Sequence, residues 1–208
     1  MYVLPALLLI SILIFIPLML TGYYGLMDWD GVSAMEFIGL ENYITALQDR
    51  LFWDSAWHSV LLALFSALSL AIYLTIALIL ASKIKGANLL RKIYLIPMLL
   101  SSVAIAQLWI KVYNPSNGIL STVLGWFGAE KAPLWLSDTS IVLYAIFIPI
   151  LWQYAGFYIL IYYAALKNIP ESLIEAAKID GATPLQIALK IKLPLIMGVV
   201  KVTIVLAI

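Results

Sequence analysis

His58 is the one histidine in the chain and cysteine is absent, so neither a thiolate site nor a cluster of imidazoles can hold a metal. His58 follows Trp57 at the edge of an apolar stretch, an ordinary interfacial position. No nucleophile and base stand in a catalytic constellation, and no GxxxxGKS or GxxxxGKT loop is present to cradle a nucleotide. Catalytic residues and bound cofactors are therefore not expected, nor is a basic, aromatic-interleaved face for nucleic acid. One charged segment, "EAAKIDGATPLQIALKIKLP", Glu175 to Pro194, lies between two strongly apolar stretches. Carboxylates, lysines and small residues at helical spacing offer docking chemistry there, not bond making.

The elements around that segment belong in lipid. Of 208 residues, 64% are hydrophobic and 11% charged, and the mean hydropathy is +1.05, beyond what a soluble core of this size needs. About 20 apolar residues of helix cross a hydrocarbon core. Four windows reach that length, at about 3–27, 59–81, 93–113 and 140–166. A fifth starts near Leu195, and the 14 residues from there to Ile208 make about 21 Å of helix, short of a full crossing. The expected fold is an all-α polytopic transmembrane bundle, four complete spans and an incomplete fifth, forming part of a longer membrane domain. The first span has no basic n-region and reads as a retained anchor.

Charge orients the spans. The link from Ser82 to Lys92 carries Lys83, Lys85, Arg91 and Lys92 with no acid, while Asp28, Asp30, Glu36, Glu41, Asp49 and Asp54 face a single Arg50 between the first two spans. The basic link is then cytoplasmic. Alternation puts 28–58 and 114–139 outside and 167–194 inside, where Lys167, Lys178, Lys190 and Lys192 agree with it. Outside, "NPSNG" from Asn114 reads as a tight turn with Asn-Gly at positive φ, and "GILSTVLGWFG", ending at Gly128 and too short to cross, as a packed outer loop or an interfacial helix.

The inner loop carries two helix signatures. Pro170 and Glu171 suit a first turn, and Gly181 suits a left-handed stop after about Asp180. Thr183, Pro184 and Gln186 form a capping-box pattern that restarts a helix to about Lys192, before Pro194. Two short helices meeting at a glycine fit a groove in a cytoplasmic protein; an amphipathic helix lying on the inner leaflet, drawn by its lysines to anionic lipid, fits as well.

Glu175-Ala176-Ala177, three residues, Gly181, nine more, then Ile191-Lys192-Leu193-Pro194 resembles the EAA signature of ABC importer permeases of the type I kind. "ALKNIPESLIEAAKIDGA", "FIGLENY", "FWDSAWHS" and "NPSNGILSTVL" resemble segments of the carbohydrate branch, with its maltose, oligosaccharide and glycerol-3-phosphate permeases. The resemblance implies a coupling loop at Glu175, Ala176, Ala177, Asp180, Gly181, Ile191, Leu193 and Pro194, seated in a cytoplasmic ATPase subunit that binds ATP and Mg. It further implies a second permease subunit, two ATPase subunits, an extracytoplasmic solute-binding protein and a sugar substrate. Met197 and Gly198 depart from the basic residue and proline usual after Leu-Pro in that family.

Polar residues inside spans mark candidate paths. Gln107 in the third span and Trp152, Gln153 and Tyr154 in the fourth are the candidate solute contacts. An ion-coupled secondary carrier would place carboxylates at mid-membrane, and no complete span contains one. A membrane scaffold whose loop recruits a soluble partner would need no solute path.

Overall fold

A chain in lipid pairs its backbone N–H and C=O groups within itself, so apolar runs of this length become helices. The computed structural model describes residues 3–82, 86–129 and 131–207; Lys83 and Lys85 of the basic link and Ile208 of the expected fifth span lie outside the described residues. Two units are resolved, residues 1–59 and 60–208.

In the first unit, α1 (Leu4–Ile10) and α2 (Ile16–Tyr24) are joined by a π-helical turn, Ser11–Phe15. Pro17 has no N–H to offer; one residue ahead of it, Ile16 N–H bonds back to the Ser11 carbonyl, five residues earlier. After α2 comes a hairpin with strands of two residues each, β1 (Met27–Asp28) against β2 (Glu36–Phe37), a small addition to the expected all-α fold. Asp30 ties its tip by accepting from the Val32 and Ser33 amides and the Ser33 hydroxyl. Those bonds favour the ionised acid and hold its pKa at about 2. Asn42, on α3 (Glu41–Gln48), donates to the Gly25 and Met27 carbonyls.

Two long helices frame the second unit. α4 (Arg50–Ala81) begins well before the expected second span, and its residues from Val60 onward belong to this unit. Leu70, Tyr73, Ala77 and Leu80 recur every three or four residues on its buried face. They pack with Ile159, Tyr162 and Leu166 of α8 (Val142–Lys167) and with Ile196. The Tyr73 hydroxyl donates to the Leu151 carbonyl at 2.8 Å, and its ring stacks on Tyr158.

α5 (Ala87–Leu99) packs along α8. Gly156 allows this: a Cβ there would meet the Tyr94 carbonyl and stand 3.1 Å from Leu95 Cα, so only glycine lets the two backbones approach so closely.

The expected third span is bent. Residues 93–113 are not one straight helix, because α5 and α6 (Ser102–Val112) meet at a 101° bend. Leu100 and Ser101 are extended, and the Ser101 side chain accepts from the Ala104 amide, capping a new helix start. The described residues contain three helices long and apolar enough to cross a membrane, Leu4–Tyr24 with its π-turn, α4 and α8, or four if the bent pair is one span.

One outer-loop expectation also changes. Gly118 has φ −76°, so no positive-φ turn forms at Asn117-Gly118. Glycine is needed for space instead, since a Cβ would lie 2.5 Å from the Asn114 carbonyl and 2.6 Å from that of Val112. Of the two readings of the apolar segment after it, the structure has the helix, α7 (Ile119–Trp126), with Trp126 and Phe127 well exposed.

Pro149 lies inside α8. Without its N–H, the Ala145 carbonyl four residues earlier loses its helical donor, and the buried Tyr113 hydroxyl donates to that oxygen at 2.7 Å. Tyr113→Phe should therefore cost about 1–3 kcal/mol, the penalty for an unpaired buried acceptor. In thermal unfolding of the detergent-solubilised protein, Tyr113→Phe with Pro149→Ala should melt higher than Tyr113→Phe alone, because the alanine amide restores the helical bond. A double variant no more stable than the single one would refute the pairing.

Candidate functional site

After α8 the chain leaves the apolar helices through Asn168 and Ile169. Pro170 is extended, with ψ 130°, and caps α9 (Glu171–Ile179), so it stands one place before the helix and not in its first turn. Glu171 lies at the positive end of the helix dipole and Lys178 at the negative end, the favourable order.

The end of α9 is closed by backbone bonds. Gly181, at φ +79°, donates to the Lys178 carbonyl at 3.1 Å, and Ala182 donates to the Ala177 carbonyl at 2.9 Å. This pair is the Schellman closure, and it requires the left-handed conformation that glycine adopts without strain. One residue later Thr183 starts α10 (Pro184–Ile187). Its hydroxyl accepts from the Gln186 amide at 3.3 Å, while the Gln186 side chain accepts from the Thr183 amide at 2.8 Å. Only Ala182 separates the two caps. The angle between α9 and α10 is thus set by hydrogen bonds on both sides of the turn.

Ala177 and Ile187 are buried, whereas Glu175, Ala176, Asp180 and Gly181 are exposed. Among the described residues neither Glu175 nor Asp180 has an ion-pair partner. Ile179 and Leu185, on either side of the turn, are 86% and 68% exposed. These two were not among the residues singled out by the motif; their signal was apolar character beside a glycine stop in an otherwise polar segment. Exposed apolar side chains on a rigid projection mark an interaction surface.

Beyond α10 a second π-helical turn, Ala188–Lys192, leads into the short α11 (Leu193–Leu195) and then α12 (Met197–Ala207). Leu193 N–H bonds to the Ala188 carbonyl, five residues back, one step ahead of Pro194, the arrangement already seen before Pro17. Ile191 and Leu193 are half-buried and Pro194 is exposed. α12 starts after a break at Ile196 and is anchored to α8 by a 2.6 Å bond between the Tyr162 hydroxyl and Thr203.

The candidate solute contacts do not come together. Trp152 meets the Trp109 ring edge-on at 6.0 Å, Gln153 reaches the Ser102 hydroxyl at 3.4 Å, and Gln107 is exposed on α6. Tyr154 alone borders a cavity of about 350 Å³, lined also by the hydroxyl-bearing Ser66, Ser69, Tyr73 and Tyr158. Among the described residues no three potential metal ligands cluster.

A polytopic helical membrane protein with a doubly capped projecting loop is the class this geometry defines. Residues 73–208 match the family described as binding-protein-dependent transport system inner membrane component, and the chain belongs to that family. It is a membrane transport subunit and not an enzyme. It is 34% identical over 197 residues to a probable ABC transporter permease protein of Pyrococcus horikoshii, covering 93% of this chain and 68% of that one. It is 34% identical over 206 residues to the trehalose/maltose transport system permease protein of Thermococcus litoralis, covering 98% and 70%. Against the sn-glycerol-3-phosphate transport system permease protein of Shigella flexneri the identity is 32% over 179 residues, covering 84% and 59%. The fold superposes with a TM-score of 0.82 on a bacterial ABC transporter involved in import of the acidic polysaccharide alginate, at 25% identity over 99% of this chain and 70% of that one. The chain spans 68%, 66% and 56% of the lengths of three such relatives.

Thr183→Ala removes one side of the capping box and should cost about 1 kcal/mol. Hydrogen exchange of the 185–187 amides should quicken several-fold while α8 amides stay protected. Unchanged exchange at 185–187 would contradict the cap's role.

Proposed function

We propose that the chain is one permease subunit of an ATP-driven importer for a sugar or related carbohydrate. The reading is supported by the family, by relatives named for trehalose/maltose and sn-glycerol-3-phosphate transport, and by fold likeness to a transporter that imports alginate. In this reading the EAA loop, 167–194, faces the cytoplasm, and the loops at 28–58 and 114–139 face outward. The chain works beside a second permease subunit, two ATPase subunits that carry ATP and Mg, and an extracytoplasmic solute-binding protein.

The observation that carries the coupling role is the back-to-back capped turn. Closure of an ATPase pair transmits force to a membrane helix only through a link that does not bend. The Schellman closure at Gly181 and the capping box at Thr183 make α9 and α10 such a link. Ala176 would permit close approach, Glu175 and Asp180 would pair with polar groups of the groove, and Ile179 and Leu185 would fill its apolar part. The buried Ala177 packs the turn from behind, and the π-turn with Ile191, Leu193 and Pro194 passes the motion to α12.

For the solute, the cavity beside Tyr154 offers hydroxyls and stacked rings suited to a polyol. Trp152, Gln153 and Gln107 remain candidate contacts at other stages of a path shared with the second subunit.

Gly181→Asp tests the coupling. An L-residue at φ +79° is strained by about 1 kcal/mol, and an acid at the turn adds a charge to the docking face. Solute-stimulated ATP hydrolysis by the reconstituted complex should fall at least tenfold, a loss of ~1.4 kcal/mol or more, with membrane insertion unchanged. Wild-type coupling in this variant would overturn the assignment.

A further inference from the structure

The loop's lysines are not used by the docking reading, and the two ends of the loop come together, since Leu166, beside Lys167, and Ile196, four residues after Lys192, pack in one buried cluster. Lys167 is the last residue of α8, Lys178 lies in the last turn of α9, and Lys192 ends the second π-turn, two residues before Pro194. Among the described residues none of the three has an ion-pair partner within 4 Å. The half-buried Lys192 amine is pushed below its ordinary value, first by burial and then by the ammonium groups of Lys167 and Lys178. Like charges held near one another raise the free energy of the bare cluster, and an anion placed among them lowers it.

The cluster has a wall as well as charges. The Arg91 guanidinium lies 4.2 Å from the centroid of the Tyr163 ring and the Lys167 ammonium 5.8 Å from the same centroid. Tyr163 is three to four residues inside the end of α8, so the ring brings a second cation, from α5, to the level where that helix leaves the apolar region.

We propose that Lys167, Lys178 and Lys192, backed by Arg91 on Tyr163, form a binding site for the phosphate of an anionic phospholipid headgroup. The height of the site selects the ligand. Lys167 closes an apolar helix of 26 residues and Lys192 stands just ahead of the apolar α12, so both ammonium groups are at headgroup level. A cytoplasmic protein could reach Lys178 but would have to enter the interface to meet the other two. The site depends on α8 being a membrane span and not on the docking of an ATPase, so each reading can fail alone.

The test uses the full-length permease in non-ionic detergent, with dioctanoyl-phosphatidylglycerol as probe and dioctanoyl-phosphatidylcholine as the zwitterionic control, read by native mass spectrometry. Near a membrane surface each lysine contributes about 1 kcal/mol to anionic lipid binding, so Lys167→Gln with Lys192→Gln should weaken phosphatidylglycerol about 30-fold. The matching pair Lys167→Arg with Lys192→Arg should retain it, which separates lost charge from lost folding. Displacement of the lipid by millimolar inorganic phosphate would overturn the lipid assignment in favour of a free phosphate. Equal binding of both lipids, or unchanged phosphatidylglycerol binding by the glutamine pair, would overturn the site. So would a glutamine pair that keeps the lipid but loses capture of the ATPase, since that result makes the cluster a protein contact.

Discussion

Pro149 stands inside α8 with no N–H to give, and the carbonyl it strands at Ala145 is taken by the hydroxyl of Tyr113, 32 residues earlier in the chain. That exchange shows the constraint on which the rest of the structure depends. In lipid an unpaired peptide group costs several kcal/mol, so each proline in an apolar helix must be answered. Pro17 and Pro194 instead follow π-turns, in which the residue ahead of the proline bonds five residues back. The same device therefore serves the first apolar helix and the exit from the 167–194 loop. At the second place it also joins a rigid loop to α12, through a turn wider than an α-helical one.

Where the chain leaves the apolar region the constraint changes from pairing to shape. Water can satisfy helix ends, yet the turn between α9 and α10 pairs them within the protein, by backbone bonds on one side and a reciprocal side-chain cap on the other. Such closure is of little use to a tether. It suits a lever, the role proposed for it.

The inner loop was largely legible in the sequence because caps are local: Gly181, Thr183 and Gln186 specify their hydrogen bonds within six residues. Helix existence was legible from apolar length for the same reason. The bend between α5 and α6 was not, because hydropathy sums across Leu100 and Ser101 without sensing that Ser101 caps a new helix. Trp152, Gln153 and Tyr154 looked like one polar patch on paper; successive helical residues point about 100° apart, and the three meet different neighbours. Long-range pairs such as Tyr73 with Leu151 leave no sequence pattern at all. The close approach of Gly156 to the Tyr94 carbonyl is likewise a long-range fact that hydropathy does not carry.

The central claim is that the tip of the inner loop is the surface on which an ATPase closes, and the absence of cysteine makes it directly measurable. A single cysteine at Ala176, carrying a short photo-crosslinker, is compared in the assembled transporter with one at Ser116 in the loop between α6 and α7. Capture of the ATPase subunit from position 176 and not from 116 is the predicted result. Capture from 116 alone, from both equally, or from neither would contradict the account.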